Sequence, residues 1–140
     1  MKTIDNLLRY KFTEEQKLAL KTLGISNGCG WAKGFKFINL KNRIEKLPFV
    51  DKKRLNKLYW DIEQLCNYNH DIEFYLWGGI IDYFRANYFF ALNCIGLLHW
   101  TSTKARLGLF LLLLLWLTLF GWRFFNWGAR KDINNLYKLL

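Results

Sequence analysis

The feature that most constrains this chain is an uncharged stretch in its last third. Residues 107–122 contain no charged side chain and include five consecutive leucines at positions 111–115. Leucine therefore occupies every face of a helix here, whereas an interfacial helix needs a polar side. Sixteen helical residues rise about 24 Å, somewhat less than the ~30 Å hydrocarbon core of a bilayer. With Arg106 and Arg123 at its ends, the stretch predicts a membrane-embedded helix, and a buried or interfacial helix is the competing interpretation.

Composition narrows the class of partner. The 140 residues are 52% hydrophobic and 19% aromatic, which excludes intrinsic disorder. A net charge of +10 attracts anionic polymers or anionic lipid headgroups, and the apolar stretch favours lipid. We therefore expect a phospholipid membrane as partner, no specific nucleic acid, and a membrane-associated location without a secretory signal peptide. The predicted organisation is a helical domain over residues 1–104 and a hydrophobic helix with a basic tail over residues 105–140.

Local patterns predict a mainly α fold. Thr13 begins a capping-box sequence, which predicts a helix over residues 13–23. Asp51 is a suitable cap for a long helix that reaches about residue 77. Two glycines then precede a second helix over residues 80–98, and this short break favours an antiparallel helical hairpin. The lysine-rich residues 38–50 are predicted to form a solvated connector.

A set of residues with catalytic chemistry lies in and before this hairpin. His70 is followed directly by Asp71, and Asp82 comes twelve residues after the histidine. Adjacent helix positions point about 100° apart, so Asp71 is free to face a cation while Asp82 orients the imidazole across the pair. Upstream, a Gly-Cys-Gly loop at residues 28–30 can aim backbone carbonyls at a hard cation such as calcium. Taken singly, a histidine on an apolar helix face is commonly a core residue, and such a loop is commonly a tight turn.

Together these motifs resemble the phospholipase A2 superfamily, in the compact form found in phage and prophage proteins and in parvovirus capsids. That pattern has a glycine-cysteine-glycine calcium loop, a helix with a cysteine and then His-Asp, and a glycine pair. A second helix of the form Asp-x-x-x-Ala-Asp-x-x-Phe follows, and here it reads Asp82 to Phe90 with Asn87 at the second acidic position. The resemblance covers roughly residues 27–90, about half of the chain.

The resemblance implies a role for each residue. His70 would be the general base, Asp82 its partner, and the Gly30 amide part of the oxyanion hole. Calcium would be bound by Asp71 and by three loop carbonyls, those of Gly28, Gly30 and Ala32.

Four positions depart from the family pattern. Cys66 lies four residues before the histidine instead of three, which weakens the inference that Cys29 and Cys66 form a disulfide. Phe74 replaces the usual tyrosine, the glycine pair is one residue late, and Asn87 replaces an acid.

The function predicted from the sequence is calcium-dependent hydrolysis of the sn-2 ester of glycerophospholipids at a membrane, by a phage- or virus-encoded protein. The alternative is a non-catalytic membrane or virion structural protein that retains the scaffold without activity. The amide at position 87 bears on this choice, because some viral members carry their catalytic aspartate at that position.

Overall fold

The computed structural model describes residues 3–26, 37–76, 78–122 and 125–140. Within these ranges the protein is mainly helical, with one isolated backbone bridge between Gly78 and Trp127. The α-helices are α1 (Ile4–Leu7), α2 (Glu14–Thr22), α3 (Phe37–Glu45), α4 (Lys52–Leu65), α5 (Asp71–Tyr75), α6 (Ile80–Gly96), α7 (Thr103–Phe120) and α8 (Ile133–Leu139). A π-helical turn, Cys66–His70, joins α4 to α5.

The predicted helix starts are confirmed, and one predicted connector is wrong. Thr13 caps α2 because its hydroxyl oxygen accepts from the Gln16 amide, and the Thr13 amide in turn donates to the Gln16 side-chain oxygen. Asp51 accepts from the first amides of α4. Helix α3, however, occupies residues predicted to be a solvated connector. Lysine favours helix when apolar residues recur between the charges, as they do here, so its abundance does not indicate a loop.

The π-helical turn changes the direction of side chains around His70. The Asp71 amide donates to the Cys66 carbonyl, five residues back, in place of the usual four. A π turn holds one residue more than an α turn, and such single turns often occur at functional sites. Residues before and after it are therefore not related by simple helical periodicity.

Helix α4, the π-helical turn and α5 follow one another without a break, and buried side chains form clusters on two sides of this continuous helix. One cluster joins α4 to α6 and α7, and its members are Leu65, Cys66, Phe90, Cys94, Leu97 and Leu117. A second joins α2 to α5 and α8 through Leu20, Ile72, Leu76 and Leu136. The π-helical turn contributes to both, because Cys66 belongs to the first cluster and Tyr68 packs against the second.

Helices α6 and α7 pack antiparallel to each other. Tyr83, near the start of α6, donates its hydroxyl to the Leu117 and Thr118 carbonyls at 3.0 and 2.6 Å. Farther along α6, the Tyr88 ring meets Phe110 edge-on at 5.6 Å. Helix α7 is long and apolar enough to span a membrane, with a mean hydropathy of 1.7 over 18 residues and 6% of them buried. Most of its leucines face outward.

Candidate functional site

His70 lies at the end of the π-helical turn with its ring almost enclosed. The side chain is 10% exposed. The ring packs against Phe74 at a centroid distance of 4.1 Å and against Phe90 of α6 at 5.0 Å. These aromatic contacts leave the imidazole little rotational freedom, so the directions of its two nitrogens are fixed by the fold.

One ring nitrogen is bonded to α6. His70 Nε2 lies 2.9 Å from Asn87 Oδ1, and Asn87 is fully buried. An amide oxygen accepts only, so in this orientation Nε2 is the donor, and in the neutral imidazole Nδ1 is then the nitrogen with the lone pair. The Asn87 Nδ2 has no hydrogen-bond partner among the described residues. Asn87 also lies near Tyr83, where burial raises the pKa of the phenol and the Asn87 side chain opposes that rise.

The predicted contact between Asp82 and His70 is wrong. The Asp82 carboxylate turns back to its own helix start and accepts from the Gly79 amide at 3.0 Å. It lies 4.0 Å from the guanidinium groups of both Arg85 and Arg130. Capping gives an otherwise unpaired amide an acceptor, and the negative charge of a carboxylate in the first turn interacts favourably with the helix dipole. This local role determines where Asp82 points.

Gly78 makes that capping geometry possible. Its φ is +152°, and a Cβ at this position would meet the Asp82 side chain at 2.4 Å. Any other residue would displace the carboxylate. The glycine pair between α5 and α6 therefore serves the helix start as well as the turn.

The predicted metal ligands are only partly described. Asp71 Oδ1 lies 3.9 Å from His70 Nδ1, on the side of the ring opposite to Asn87, and its side chain is 16% exposed. Gly28, Gly30 and Ala32, the predicted loop ligands and oxyanion donor, lie outside the described residues. Within the described ranges, no group of three or more His, Cys, Asp or Glu side chains gathers as a metal site.

His70 forms part of the wall of a pocket of about 520 Å³. The lining has apolar and polar sectors. Its members are Leu7, Arg9, Asn69, His70, Glu73, Arg85, Ala86, Phe89, Phe90 and Asn93. The apolar sector borders the imidazole, and two arginines provide positive charge. An amphiphilic ligand with an anionic head matches this lining.

A segment far away in sequence closes one side of the pocket. We call residues 7–10 the strap. The Arg9 amide donates to Asn69 Oδ1 at 2.8 Å, and Asn69 Nδ2 donates to the Leu7 carbonyl at 2.8 Å. Asn69 directly precedes His70, so the residue before the histidine fixes the segment that closes this side of the pocket.

Glu73 fastens the strap at a second point. Its carboxylate accepts from the Tyr10 hydroxyl and pairs with Arg9 at 3.3 Å and with Arg130 at 2.8 Å. Burial, reinforced by Glu73, raises the pKa of Tyr10 to about 12. Three separate parts of the chain thus meet one turn beyond His70.

The sequence patterns did not identify several of these residues. The pocket is lined in part by Asn69, Arg9 and Arg85. The contact between Arg9 and Asn69 joins residues sixty positions apart, so no periodic pattern in the sequence indicates it. Asn87 was visible as the second acidic position of the family pattern.

The cysteines differ in state. Cys66 is disulfide-bonded, and Cys29 lies outside the described residues. Cys94 is a free thiol whose pKa is raised by burial. A buried thiol of this kind is inert and serves as a small core residue.

Comparison of the chain with protein families, with curated proteins and with solved structures finds no match in any of the three.

Proposed function

We propose that this protein is a membrane-associated phospholipase A2-like hydrolase in which His70 is the general base. The observation that carries the proposal is the His70 Nε2 to Asn87 Oδ1 bond of 2.9 Å within an amphiphilic pocket. That bond supports a ring with Nε2 protonated and with Nδ1 available to take a proton from water. The oxygen of that water would then add to the sn-2 ester carbonyl of a glycerophospholipid. As the ester bond breaks, the imidazolium would give its proton to the departing lysophospholipid oxygen, and the fatty acid would be released.

Asn87 would fulfil one of the two functions that a carboxylate has beside a catalytic histidine. Its oxygen fixes the tautomer and the plane of the ring, as a carboxylate would. It carries no charge, so it stabilises the imidazolium that forms during proton transfer much less. In a serine protease triad, replacing the aspartate by asparagine lowers kcat about 10⁴-fold, largely through the wrong tautomer. We expect a slow enzyme, because the tautomer is favourable here and the charge is missing.

Calcium fits the proposal through Asp71. This carboxylate is beside the imidazole and lies toward Nδ1, the nitrogen that would face water. Asp71 would hold the ion together with the carbonyls of Gly28, Gly30 and Ala32, and the bound ion would polarise the ester carbonyl. The Gly30 amide would donate to the developing oxyanion.

The π-helical turn supports the resemblance to the phospholipase pattern. The chain has one residue more between Cys66 and His70 than that pattern has, and the π-helical turn covers these residues. A single inserted residue in a helix is commonly accommodated as one π turn, so the excess does not disturb the helix on either side. The disulfide at Cys66 is compatible with the same pattern.

One observation favours a second function. A neutral, fully buried residue bonded to the imidazole is also expected of a protein that binds phospholipid without cleaving it. In that case the pocket and α7 would serve membrane attachment in a structural protein, and His70 would be a packed core histidine.

Hydrolysis of vesicle phospholipid by the full chain separates the two functions. We expect slow, chelator-sensitive release of the sn-2 fatty acid by the wild type and none by His70→Asn. The matched control is His99→Asn, because His99 lines a different, smaller cavity beside Trp100, and its activity should equal that of wild type.

Asn87→Asp is the decisive variant. A carboxylate at this position would stabilise the imidazolium, so we expect hydrolysis to increase at least about tenfold over wild type. If neither the wild type nor Asn87→Asp releases fatty acid in the presence of calcium, catalysis is rejected and the structural function remains. Circular dichroism spectra that match the wild type are required of each variant.

A further inference from the structure

Arg85 is a cation set among exposed apolar side chains. Its helical neighbours three or four positions away include Ile81, Tyr88 and Phe89, which are 70%, 44% and 45% exposed. The fourth neighbour, Asp82, is 4.0 Å away, at the outer limit of an ion pair. Arg85 donates no hydrogen bond to any other residue within the described parts of the chain, and its side chain is 54% exposed. Its guanidinium donors are therefore available to a ligand.

The other arginine of the pocket is already engaged. Arg9 pairs with Glu73 at 3.3 Å, and the same carboxylate also holds Arg130 at 2.8 Å. Both arginines are exposed to solvent, but Arg85, whose nearest paired carboxylate is 4.0 Å away, is the less engaged of the two cations that line the cavity beside His70. A guanidinium binds phosphate oxygens through two parallel hydrogen bonds, which a lysine does not reproduce.

We propose that the pocket selects anionic phospholipids, with the lipid phosphate on Arg85 and an acyl chain along Phe89, Phe90 and Leu7. This inference rests on the proposed function in taking phospholipid as the ligand, and it adds the class of headgroup. A glycerol headgroup leaves the lipid with a net negative charge. A choline headgroup would bring a cation close to Arg85 and Arg9, where Glu73 and Asp82, the acids that form ion pairs with these two arginines among the described residues, are already paired.

The surroundings of Arg85 favour a lipid over a free phosphate ion. Its apolar neighbours form an exposed stripe on α6, and Tyr88 connects the stripe to Phe110 on α7. Since α7 is the candidate span, the mouth of the pocket is continuous with a surface suited to acyl chains. A free phosphate would bury none of this surface, whereas a phospholipid would cover it.

The test is calorimetric titration of the full chain in uncharged detergent micelles with calcium present. The ligands are short-chain phosphatidylglycerol and phosphatidylcholine with ether-linked chains, which an esterase does not cleave, and inorganic phosphate. We expect the glycerol lipid to bind more tightly than the choline lipid. Arg85→Gln should lower its affinity about tenfold or more, the usual loss for a hydrogen bond to a charged group.

Two further variants separate the explanations. Arg43→Gln removes the same charge from an exposed position of α3 outside the pocket and should bind as wild type does. Arg85→Lys keeps the charge without the fork and should recover only part of the affinity.

Three results would overturn the inference. They are equal affinity for the two lipids, an undiminished preference in Arg85→Gln, and binding of inorganic phosphate as tight as that of the glycerol lipid. The proposed function fails differently. Lipid binding with the expected preference but without hydrolysis rejects catalysis alone, whereas hydrolysis without the preference rejects this inference alone.

Discussion

Helices α6 and α7 are antiparallel neighbours of nearly equal length, 17 and 18 residues, but they differ in how many of their side chains are buried. Helix α6 buries six residues, among them Asn87, on a face defined by sequence. Helix α7 buries only Leu117 and carries leucine all around. A helix with one inward face is oriented by a protein core, whereas a uniformly apolar helix is compatible with lipid on its remaining faces. The pair thus joins a helix oriented by the protein core to a uniformly apolar helix that is long enough to span a membrane.

Charged side chains on the outer face of α7 should have the largest effect, because they would lower the affinity of that helix for lipid. Leu112 and Leu115 are 65% and 58% exposed. Lysine at the centre of a membrane helix costs about 2.5–3.5 kcal/mol. The double change Leu112→Lys with Leu115→Lys should therefore lower liposome partitioning by roughly four to five orders of magnitude. Sedimentation with liposomes measures the effect.

The control adds the same charge elsewhere. Leu18 and Leu23 of the α2 region are 67% and 56% exposed, and lysine at both should leave partitioning unchanged. If the α7 variant also partitions like wild type, membrane affinity lies in the basic part of the protein and α7 is not inserted.

The inward face of α6 predicts the next largest effect. Phe90 is 6% exposed and contacts the His70 ring, so Phe90→Ala should lower the free energy of unfolding by about 3–5 kcal/mol. Phe84 is on the same helix but 46% exposed, and Phe84→Ala should cost less than about 1 kcal/mol in detergent. Denaturant titration in uncharged micelles measures both. Similar losses in the two variants would mean that α6 has no distinct inward face.

The smallest effect concerns the bonds that hold the two helices together. Tyr83→Phe removes the hydroxyl that donates to the Leu117 and Thr118 carbonyls, and the expected cost is about 1 kcal/mol. Tyr88→Phe is the control, since its ring contact does not need the hydroxyl.

The contribution of Tyr83 should also depend on pH. Burial raises the pKa of Tyr83 above its usual value of 10.0. The protonated form donates the bonds, so its stabilisation is fully present below pH 10 and declines as pH rises through the folded pKa. The stability difference between wild type and Tyr83→Phe should therefore narrow above pH 10. A difference that stays constant or widens would show that the hydroxyl is not a donor in the folded protein.

Much of the fold follows from local signals in the sequence. Thr13, Asp51 and the glycine pair mark helix starts through chemistry that acts within four residues, and the structure has helices at those positions. The apolar run of residues 107–122 likewise predicts α7. Helix α1 has no side-chain cap and is stabilised by packing on other elements, whereas α8 begins at an Asp132 cap that the sequence analysis did not use.

The site was harder to predict because competing local interactions decide where polar groups point. Asp82 has the spacing of a histidine partner, yet the Gly79 amide is nearer and needs an acceptor. The π-helical turn also shifts the faces that helical periodicity would assign. His70 and Asp71 could be identified by residue type, whereas Arg9 and Arg85 enter only through the three-dimensional arrangement.

The bonds from Asn69 to the strap have a consequence for how the protein folds. They join residues 60 and 62 positions apart, whereas a helical turn forms within four. Helices form in about a microsecond or less, but closing a loop of this length carries a large entropic cost that slows the search. We therefore expect the helices to assemble first and the strap to dock late. During refolding, the pocket beside the imidazole would stay open on this side until that last step, so protection of the Arg9 amide would report completion of the native state.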